Sequence, residues 1–445
     1  MMKKTKHIQI GIVLLALFLI GQKLPAQQVV QEMSLANALA TGLENNYQIR
    51  ISAESVRIAE NNNSWGAAGM WPAISLGAFQ NNRYDEGDSY TVPGERNEYY
   101  TNVIAPYINL NWTLFRGLAV HITKDKLGAL QEYSEGYATI VVENTIQGIV
   151  LAYYNALLQE ELLQVSEEVK ALSRDRFNYM SFKKELGGAV TYDVLQAKNA
   201  YLDDSTINLL QQLNLKNAYL NLKLLLGEEE DIQYHLTDEF TVQLNDYSID
   251  TLLQAMMSSN SNLRNQYINQ EILKKDVNLA KSNMYPVLSM NGGYDHFNRR
   301  VKYTDVDPAY TNSMDYYANF TLSFNLFNGG NVRRGIRNAK IGEQIGQLEI
   351  KELEISLSNL MKNDFDLYEI RKELYLVSVA NLESASLNME ISTEKFRSGA
   401  INSFNFRDVQ VIYLRAAAGK YQAIYNLIDI QMELLRLSGG IISEF

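Results

Sequence analysis

Two periodicities alternate along this chain, and each alternation occurs twice. Apolar residues recur at helical spacing from Ser34 to Met70, stop at Trp71-Pro72, and resume in strict alternation, with Ile74, Leu76 and Ala78 against Ser75 and Gly77. The same order of events runs from Ile249 to Met284, stops at Tyr285-Pro286, and continues with Leu288 and Met290 against Ser289 and Asn291. Proline removes a helix donor and biases its predecessor toward extended backbone, so Pro72 and Pro286 mark helix-to-strand transitions. Polar stretches follow, Asn81 to Asn97 and Phe297 to Asp315, each expected as a long hairpin loop. The returning strands are clearer. Ile108, Leu110, Trp112 and Leu114 alternate with Asn109, Asn111 and Thr113, and Phe320, Leu322, Phe324 and Leu326 with Thr321, Ser323 and Asn325. Period two over this length predicts a sheet with one apolar and one polar face.

Strand returns to helix at Leu114-Phe115-Arg116-Gly117 and at Leu326-Phe327-Asn328-Gly329-Gly330, and no proline follows before Gly187 or Gly399. Each interval predicts a rod of roughly 70 residues, on the order of 100 Å long. In the first, Ile146, Ile149, Val150, Tyr153 and Leu157 form an apolar stripe. Gly187, followed by Gly188, and Gly399 suit the left-handed residue that ends a helix. Thr191 and Ser403, four positions on, are placed to cap a new one. The second return helix carries a coiled-coil seam of Val411, Leu414, Ala418, Tyr421, Tyr425, Ile428, Met432 and Leu435, and the first a looser one of Leu195, Leu202, Leu209, Leu213 and Leu220. They stop at Gly227 and Gly439. Each return helix and each helix before a proline is roughly 37 residues, so two laid end to end match one long rod.

The copies keep register. Gly187 and Gly399, Phe115 and Phe327, and Gly227 and Gly439 all stand 212 positions apart, while Pro72 and Pro286, like Asn46 and Asn260, stand 214 apart. The hairpins therefore differ by two residues and the helices by none. The expected first repeat covers residues 27–248: helix 34–71, β-hairpin 73–115, long helix 117–186, tip turn 187–190, return helix 191–226 and an equatorial insert 228–248. The second covers 249–445: helix 249–285, β-hairpin 287–327, long helix 330–398, tip turn 399–402, return helix 403–438 and a short tail.

Half-wet strands admit two readings, a soluble hairpin on a core or a membrane barrel wall with spans of about 9–11 residues. Four strands cannot close a barrel, since about eight is the smallest membrane case. The barrel reading therefore requires several copies of the chain. At the N-terminus Lys3, Lys4 and Lys6 precede the apolar run Ile10–Ile20 and the small-residue site Leu24-Pro25-Ala26. That pattern reads as a signal peptide over 1–26, cut near Ala26; a retained membrane helix competes, but the run is short for one.

Composition adds exclusions. The 445 residues carry a formal charge of −11, four histidines and no cysteine. Absence of cysteine removes disulfides and thiolate metal sites, and the acidic balance argues against nucleic acid. His7, His121, His235 and His296 have no second ligand at helical spacing, and Gly292-Gly293 and Gly329-Gly330 lack the lysine of a phosphate loop. No catalytic, cofactor or metal residues are expected. The acidic run Glu228-Glu229-Glu230-Asp231 reads as a solvated turn, with a cation site as the lesser alternative. Many of the 28 tyrosines lie beside the strands, where a ring with a polar tip suits a membrane boundary.

This ordered duplication, with Gly187-x-x-x-Thr191-x-Asp193-Val194-Leu195 and Asn325-Leu326-Phe327-Asn328-Gly329-Gly330, resembles the TolC family of outer-membrane efflux proteins. The resemblance covers nearly all of the chain after the signal peptide. It implies a mixed membrane β-barrel and long α-helical coiled-coil barrel, a homotrimer in which four strands per chain make a 12-strand barrel in the outer membrane continuous with a 12-helix periplasmic tunnel. It implies a passive, non-enzymatic exit duct for efflux or type I secretion, with outer-membrane lipid around the barrel. A periplasmic adaptor protein would dock at the glycine tips, bringing an inner-membrane transporter indirectly. Gly187, Gly188, Thr191, Asp193, Leu195, Gly399 and Ser403 become tip and docking candidates. The family's second tip carries two acidic residues, six and nine positions after the glycine, that ring the closed aperture. This chain has Asn405 at the first and Asp408 at the second, leaving Asp408 as a gate candidate whose plainer reading is a solvated first-turn carboxylate. The alternative to a duct is an exported, non-conducting coiled-coil spacer or adhesin.

Overall fold

The computed structural model describes residues 30–88, 96–228, 233–303 and 307–444. The expected signal peptide 1–26, the acidic run beyond Glu228 and the terminal Phe445 lie outside the described residues. In chain order the elements are β1 (Val30–Met33), α1 (Leu35–Asn45), α2 (Tyr47–Asn62), β2 (Ala73–Asp88), β3 (Arg96–Arg116), α3 (Ala119–Glu185), α4 (Thr191–Leu226), β4 (Gln233–Leu236), α5 (Ile249–Ser259), α6 (Ser261–Ser282), β5 (Val287–Tyr303), β6 (Ala309–Ser323), α7 (Asn331–Arg397), α8 (Ser403–Leu437) and α9 (Ile441–Glu444).

The two long rods, α3 and α7, have 67 residues each, about 100 Å at the helical rise. The helices expected as continuous over 34–71 and 249–285 are each broken in two. Asn46 and Asn260 sit at the breaks, and the side-chain oxygen of each accepts N–H groups of the following helix, at 2.8 Å from Gln48 and 3.0 Å from Leu263. Their amide nitrogens cross to the ends of the return helices, Asn46 to the Leu225 carbonyl at 2.8 Å and Asn260 to the Leu437 carbonyl at 3.0 Å. Periodicity alone runs through such a break, because both halves keep the same face inward. α2 and α6 also stop short of their prolines, at Asn62 and Ser282.

Near the strands α2, α3, α6 and α7 lie side by side; toward the glycine turns the order is α4, α3, α8, α7. The main core sits at mid-height. There Ile146, Ile149, Val150, Tyr153 and Leu157 of α3 meet Leu39 of α1, Leu222 and Leu226 of α4, and Ile424 and Ile428 of α8. The parallel pair β1–β4 closes this core with Met33, Tyr234 and Leu236. It is held by Asp238, which accepts the Leu35 N–H at 2.7 Å and the Tyr153 hydroxyl at 2.5 Å. Burial and the Asp238 carboxylate push the Tyr153 hydroxyl well above the usual phenol range.

The second seam expected on a return helix is half-buried to buried. The first is overturned: Leu195, Leu202, Leu209, Leu213 and Leu220 are all exposed, and α4 instead buries Ala197, Ala200, Asp204, Asn208, Ala218, Leu222 and Leu226. The leucines form a stripe along the open edge of the helical layer.

Four antiparallel strands make one sheet in the order β2-β3-β5-β6, so β2 and β6 are edges. The strands are 16, 21, 17 and 15 residues long, longer than the spans expected, because the parts of the polar stretches at 81–88, 96–97, 297–303 and 309–315 are strand as well; the middles of the expected loops, 89–95 and 304–306, lie outside the described residues. Cross-strand rows keep the faces apart. Leu76, Ile108, Tyr294 and Tyr316 form one row, and Ser75, Asn109, Gly293 and Tyr317 the row behind it. On the polar face Asn291 donates to Asn109 at 2.9 Å and to Asn111 at 2.8 Å. β6 ends at Ser323, so Phe324 and Leu326, expected in the strand, lie beyond it. Among the described residues no helix is long and apolar enough to cross a membrane.

Candidate functional site

The two tips are built alike. Leu186 closes α3 and Ser398 closes α7; Gly187 and Gly399 follow at φ +77° each. Gly187 N–H donates to the Lys184 carbonyl at 2.9 Å and Gly188 N–H to the Lys183 carbonyl at 2.8 Å, while Gly399 donates to Phe396 at 3.1 Å and Ala400 to Lys395 at 2.8 Å. This paired pattern satisfies the last carbonyls of a helix and requires the left-handed residue that glycine supplies without strain.

The caps differ from those expected. Thr191 and Ser403 are the first residues inside α4 and α8, not the caps. Asn402 caps α8, accepting from Phe404 N–H at 3.1 Å and Asn405 N–H at 2.9 Å. Val190 stands at the start of α4 and has no polar atom to offer; the Asp193 carboxylate reaches back to its N–H at 3.4 Å. Asp193 thus caps α4 from within its first turn.

Around the turns the side chains separate into two layers. At the extremity Leu186, Val190, Tyr192 and Leu195 are exposed, and the Tyr192 ring stacks on Phe404 with centroids 6.3 Å apart. Behind them Met180, Ala197, Met389, Phe396 and Phe406 are buried together, Phe396 and Phe406 stacking at 4.6 Å. Asn405 and Asp408 lie on the exposed side of α8, and their side chains bond no described residue.

One turn further in is a charged cluster that sequence reasoning missed. Arg407 of α8 grips Asp204 of α4 with two hydrogen bonds, 2.6 and 2.7 Å, and Ser173 of α3 donates to the same carboxylate. Asp204 is buried, so the two-pronged guanidinium and the hydroxyl replace its hydration. Arg176 is buried beside them and donates to the Ser403 carbonyl at 3.2 Å. Burial and the neighbouring Arg407 charge pull Arg176 down to about 10. The signal was present: Ala197, Ala200, Asp204 and Asn208 step by three and four on the face opposite the leucines.

The other working surface is the polar face of the sheet. A groove of about 540 Å³ runs along it, lined by polar residues such as Asn81, Arg83, Asp85 and Arg299 together with the apolar Phe79, Val103 and Phe297. Below it a second, of about 530 Å³, lies where sheet meets helices, lined by Arg116, Asn283, Asn325, Asn328 and Asn331. Among the described residues no group of His, Cys, Asp or Glu side chains could hold a metal ion.

Long rods joined to a two-faced sheet can be compared with solved structures. The Campylobacter jejuni CmeC outer-membrane channel superposes with a TM-score of 0.73, at 16% identity over 91% of this chain and 85% of that one. This is the fold of the TolC-like outer-membrane channels. CusC, whose structures concern folding and transmembrane channel formation, superposes at 0.72 with 14% identity over 94% and 95%. The open state of the Neisseria gonorrhoeae MtrE outer-membrane channel gives 0.63 with 13% identity over 92% and 89%. In sequence, outer membrane protein TolC of Vibrio cholerae is 25% identical over 197 residues, 42% of this chain and 44% of that protein. The aligned stretch thus spans less than half of that relative. No family model matches the chain.

Proposed function

We propose that this chain is one protomer of a homotrimeric exit duct in the outer membrane, its helices forming a periplasmic tunnel. The observation that carries the reading is the sheet. Its apolar face is exposed, its other face carries the hydrogen-bonded asparagines Asn109, Asn111 and Asn291, and among the described residues both its edges are unpaired. An exposed apolar band backed by a polar wall is what a lipid-embedded, water-filled barrel requires. Three copies supply twelve strands, and the exposed leucine stripe of α4 and the apolar residues along α7 give the helical edges a reason to close as well.

The duct does no chemistry and takes no cofactor. The tips are where an adaptor protein docks and brings in an inner-membrane transporter. The exposed Leu186, Val190, Tyr192 and Leu195 support the first tip as the greasier contact. Asp408, exposed and unpartnered, is available to ring the aperture in three copies; Asn405, one turn before it, contributes no charge.

Reconstitution of the detergent-extracted protein in a planar bilayer is expected to give large, long-lived pores, with Asp408→Asn weakening block by multivalent cations. Unchanged block removes Asp408 from the aperture. Release into the soluble fraction after export, with no conductance, overturns the duct.

A further inference from the structure

The chain carries a formal charge of −11, yet the zone where the sheet meets the helices is basic. Four segments come together there, 57–72, 113–128, 271–286 and 325–340, and they hold eleven lysines and arginines against four aspartates and glutamates. Part of this charge is used within the fold. Lys126 pairs with Asp276 at 2.5 Å, Lys275 with Asp125 at 3.7 Å, and Arg334 donates to the Gly329 carbonyl at 3.2 Å. Arg333, Arg337 and Lys340 differ: all three are exposed, and their side chains bond no described residue.

These three stand where a helix disfavours them. α7 has no acidic residue in its first turn, and the positive end of the helix repels Arg333 in particular. The fold does not require the stripe. The 212-residue offset carries it to His121, Asp125 and Gly128, and α3 starts from a left-handed residue, Leu118, as α7 starts from Gly330, without three cations beside it.

Helical geometry fixes the face. Asn331 and Gly335 line the groove beneath the polar side of the sheet with Thr113 and Arg116. Arg333, Arg337 and Lys340 stand about 120–180° around the helix from both, on the side that carries the apolar rows. They lie about 3, 9 and 14 Å along α7 from its start, against a headgroup layer of about 5–8 Å on each side of the hydrocarbon, and their long side chains reach back toward it. The chain's three tryptophans mark the same level. Trp112 stands opposite Met290 on the apolar face, and its indole donates to the Met70 carbonyl at 2.8 Å. Trp71 is exposed beside that carbonyl, and Trp65 packs edge-on to His121 with the Lys124 ammonium over its ring. Tryptophan concentrates where hydrocarbon gives way to headgroups.

We propose that Arg333, Arg337 and Lys340 bind the phosphates of anionic phospholipids in the periplasmic leaflet of the outer membrane. The inference rests on the barrel reading and adds a lipid class and the residues that select it. Each protomer brings one stripe. A zwitterionic phospholipid, whose amine offsets its phosphate, gains little from it.

Detergent-purified protein titrated with phosphatidylglycerol or phosphatidylethanolamine in mixed micelles tests this, with bound lipid counted by native mass spectrometry. Phosphatidylglycerol is expected to be retained in preference. Arg333→Gln, Arg337→Gln and Lys340→Gln are each expected to weaken it about fivefold, and the triple variant on the order of a hundredfold, with phosphatidylethanolamine unaffected. Arg333→Lys with Arg337→Lys keeps the charge and is expected to keep the preference. The wild type alone also decides, because its preference is expected to collapse in about 0.5 M salt, where the Debye length is below about 5 Å. Equal retention of the two lipids, a preference indifferent to salt, or an unchanged preference in the triple variant overturns the stripe, while pores from the same protein in a neutral bilayer keep the duct standing. A wild-type chain recovered soluble without detergent overturns both.

Discussion

At the scale of single residues, the buried charges are the most informative. Arg407 and Asp204 tie the two return helices together near the tip, and the members of the pair are not equal: Asp204 is buried, whereas the Arg407 side chain keeps 23% of its exposure. Arg407→Ala leaves the buried carboxylate with Ser173 as its one hydrogen-bond donor and the Arg176 charge nearby, and is expected to cost about 3 kcal/mol locally, the low end for breaking a buried pair. Asp204→Asn lets Arg407 turn to water and is expected to cost less. Hydrogen exchange in the first turns of α4 measures both, and equal protection in the two variants contradicts the asymmetry. At mid-height Glu143 accepts from Ser261 at 2.5 Å, and burial raises its carboxyl above the ordinary value despite Arg436 and Arg264 nearby. A raised acid favours the fold in its neutral form, so its contribution is complete below the usual carboxylate pKa of about 4 and is lost as pH rises through the raised value. Glu143→Gln, which can still accept from Ser261, is expected to stabilise relative to wild type near pH 7 and to lose that advantage near pH 4. Thermal unfolding at the two pH values reads the difference.

Elements show where pattern sufficed and where it did not. Rods, prolines and tips were legible, because a helix of 67 residues without proline and a glycine repeated at one offset leave few alternatives. Side-chain direction was less legible. The leucines of α4 look like a seam, but the face buried toward the tip consists of alanines with Asp204 and Asn208, and apolar residues along an exposed edge are indistinguishable in sequence from residues of a core. The breaks at Asn46 and Asn260 were hidden because both halves keep one periodicity. β1 and β4 were hidden because strands of four residues, about 200 positions apart, have no period to read. Glycines that look alike also separate. A Cβ at Gly187 or Gly399 meets nothing, so Ala there costs only the left-handed backbone, about 1–2 kcal/mol. At Gly227 and Gly439 the same backbone strain is joined by collision with the Asn45 or Ser259 carbonyl. Gly227→Ala and Gly439→Ala are therefore expected to lower the unfolding temperature clearly more than Gly187→Ala and Gly399→Ala, with the loss of protection centred on the Asn46 and Asn260 breaks.

For the whole molecule the decisive property is the polarity of the sheet, and adjacent residues test it. Ile108 lies in the apolar row between Leu76 and Tyr294, while Asn109, one position on, lies in the polar row between Ser75 and Gly293. If the apolar face meets lipid, Ile108→Arg places a guanidinium in hydrocarbon at about 2–4 kcal/mol per chain near the midplane, and three copies suffer it together. Asn109→Arg points the same group into water, where it costs little and adds one positive charge per protomer to the pore wall. The first variant is expected to fail in outer-membrane insertion, seen as loss from the detergent-extracted membrane fraction. The second is expected to insert normally and to shift the pore's reversal potential toward anions in a salt gradient. A soluble hairpin gives a different outcome: if the apolar face instead packed on a protein core and the polar face met bulk water, Asn109→Arg would be recovered in the soluble fraction, and neither variant would conduct. The adjacent pair therefore separates a barrel wall from a surface hairpin without reference to the tip, the adaptor or the cargo.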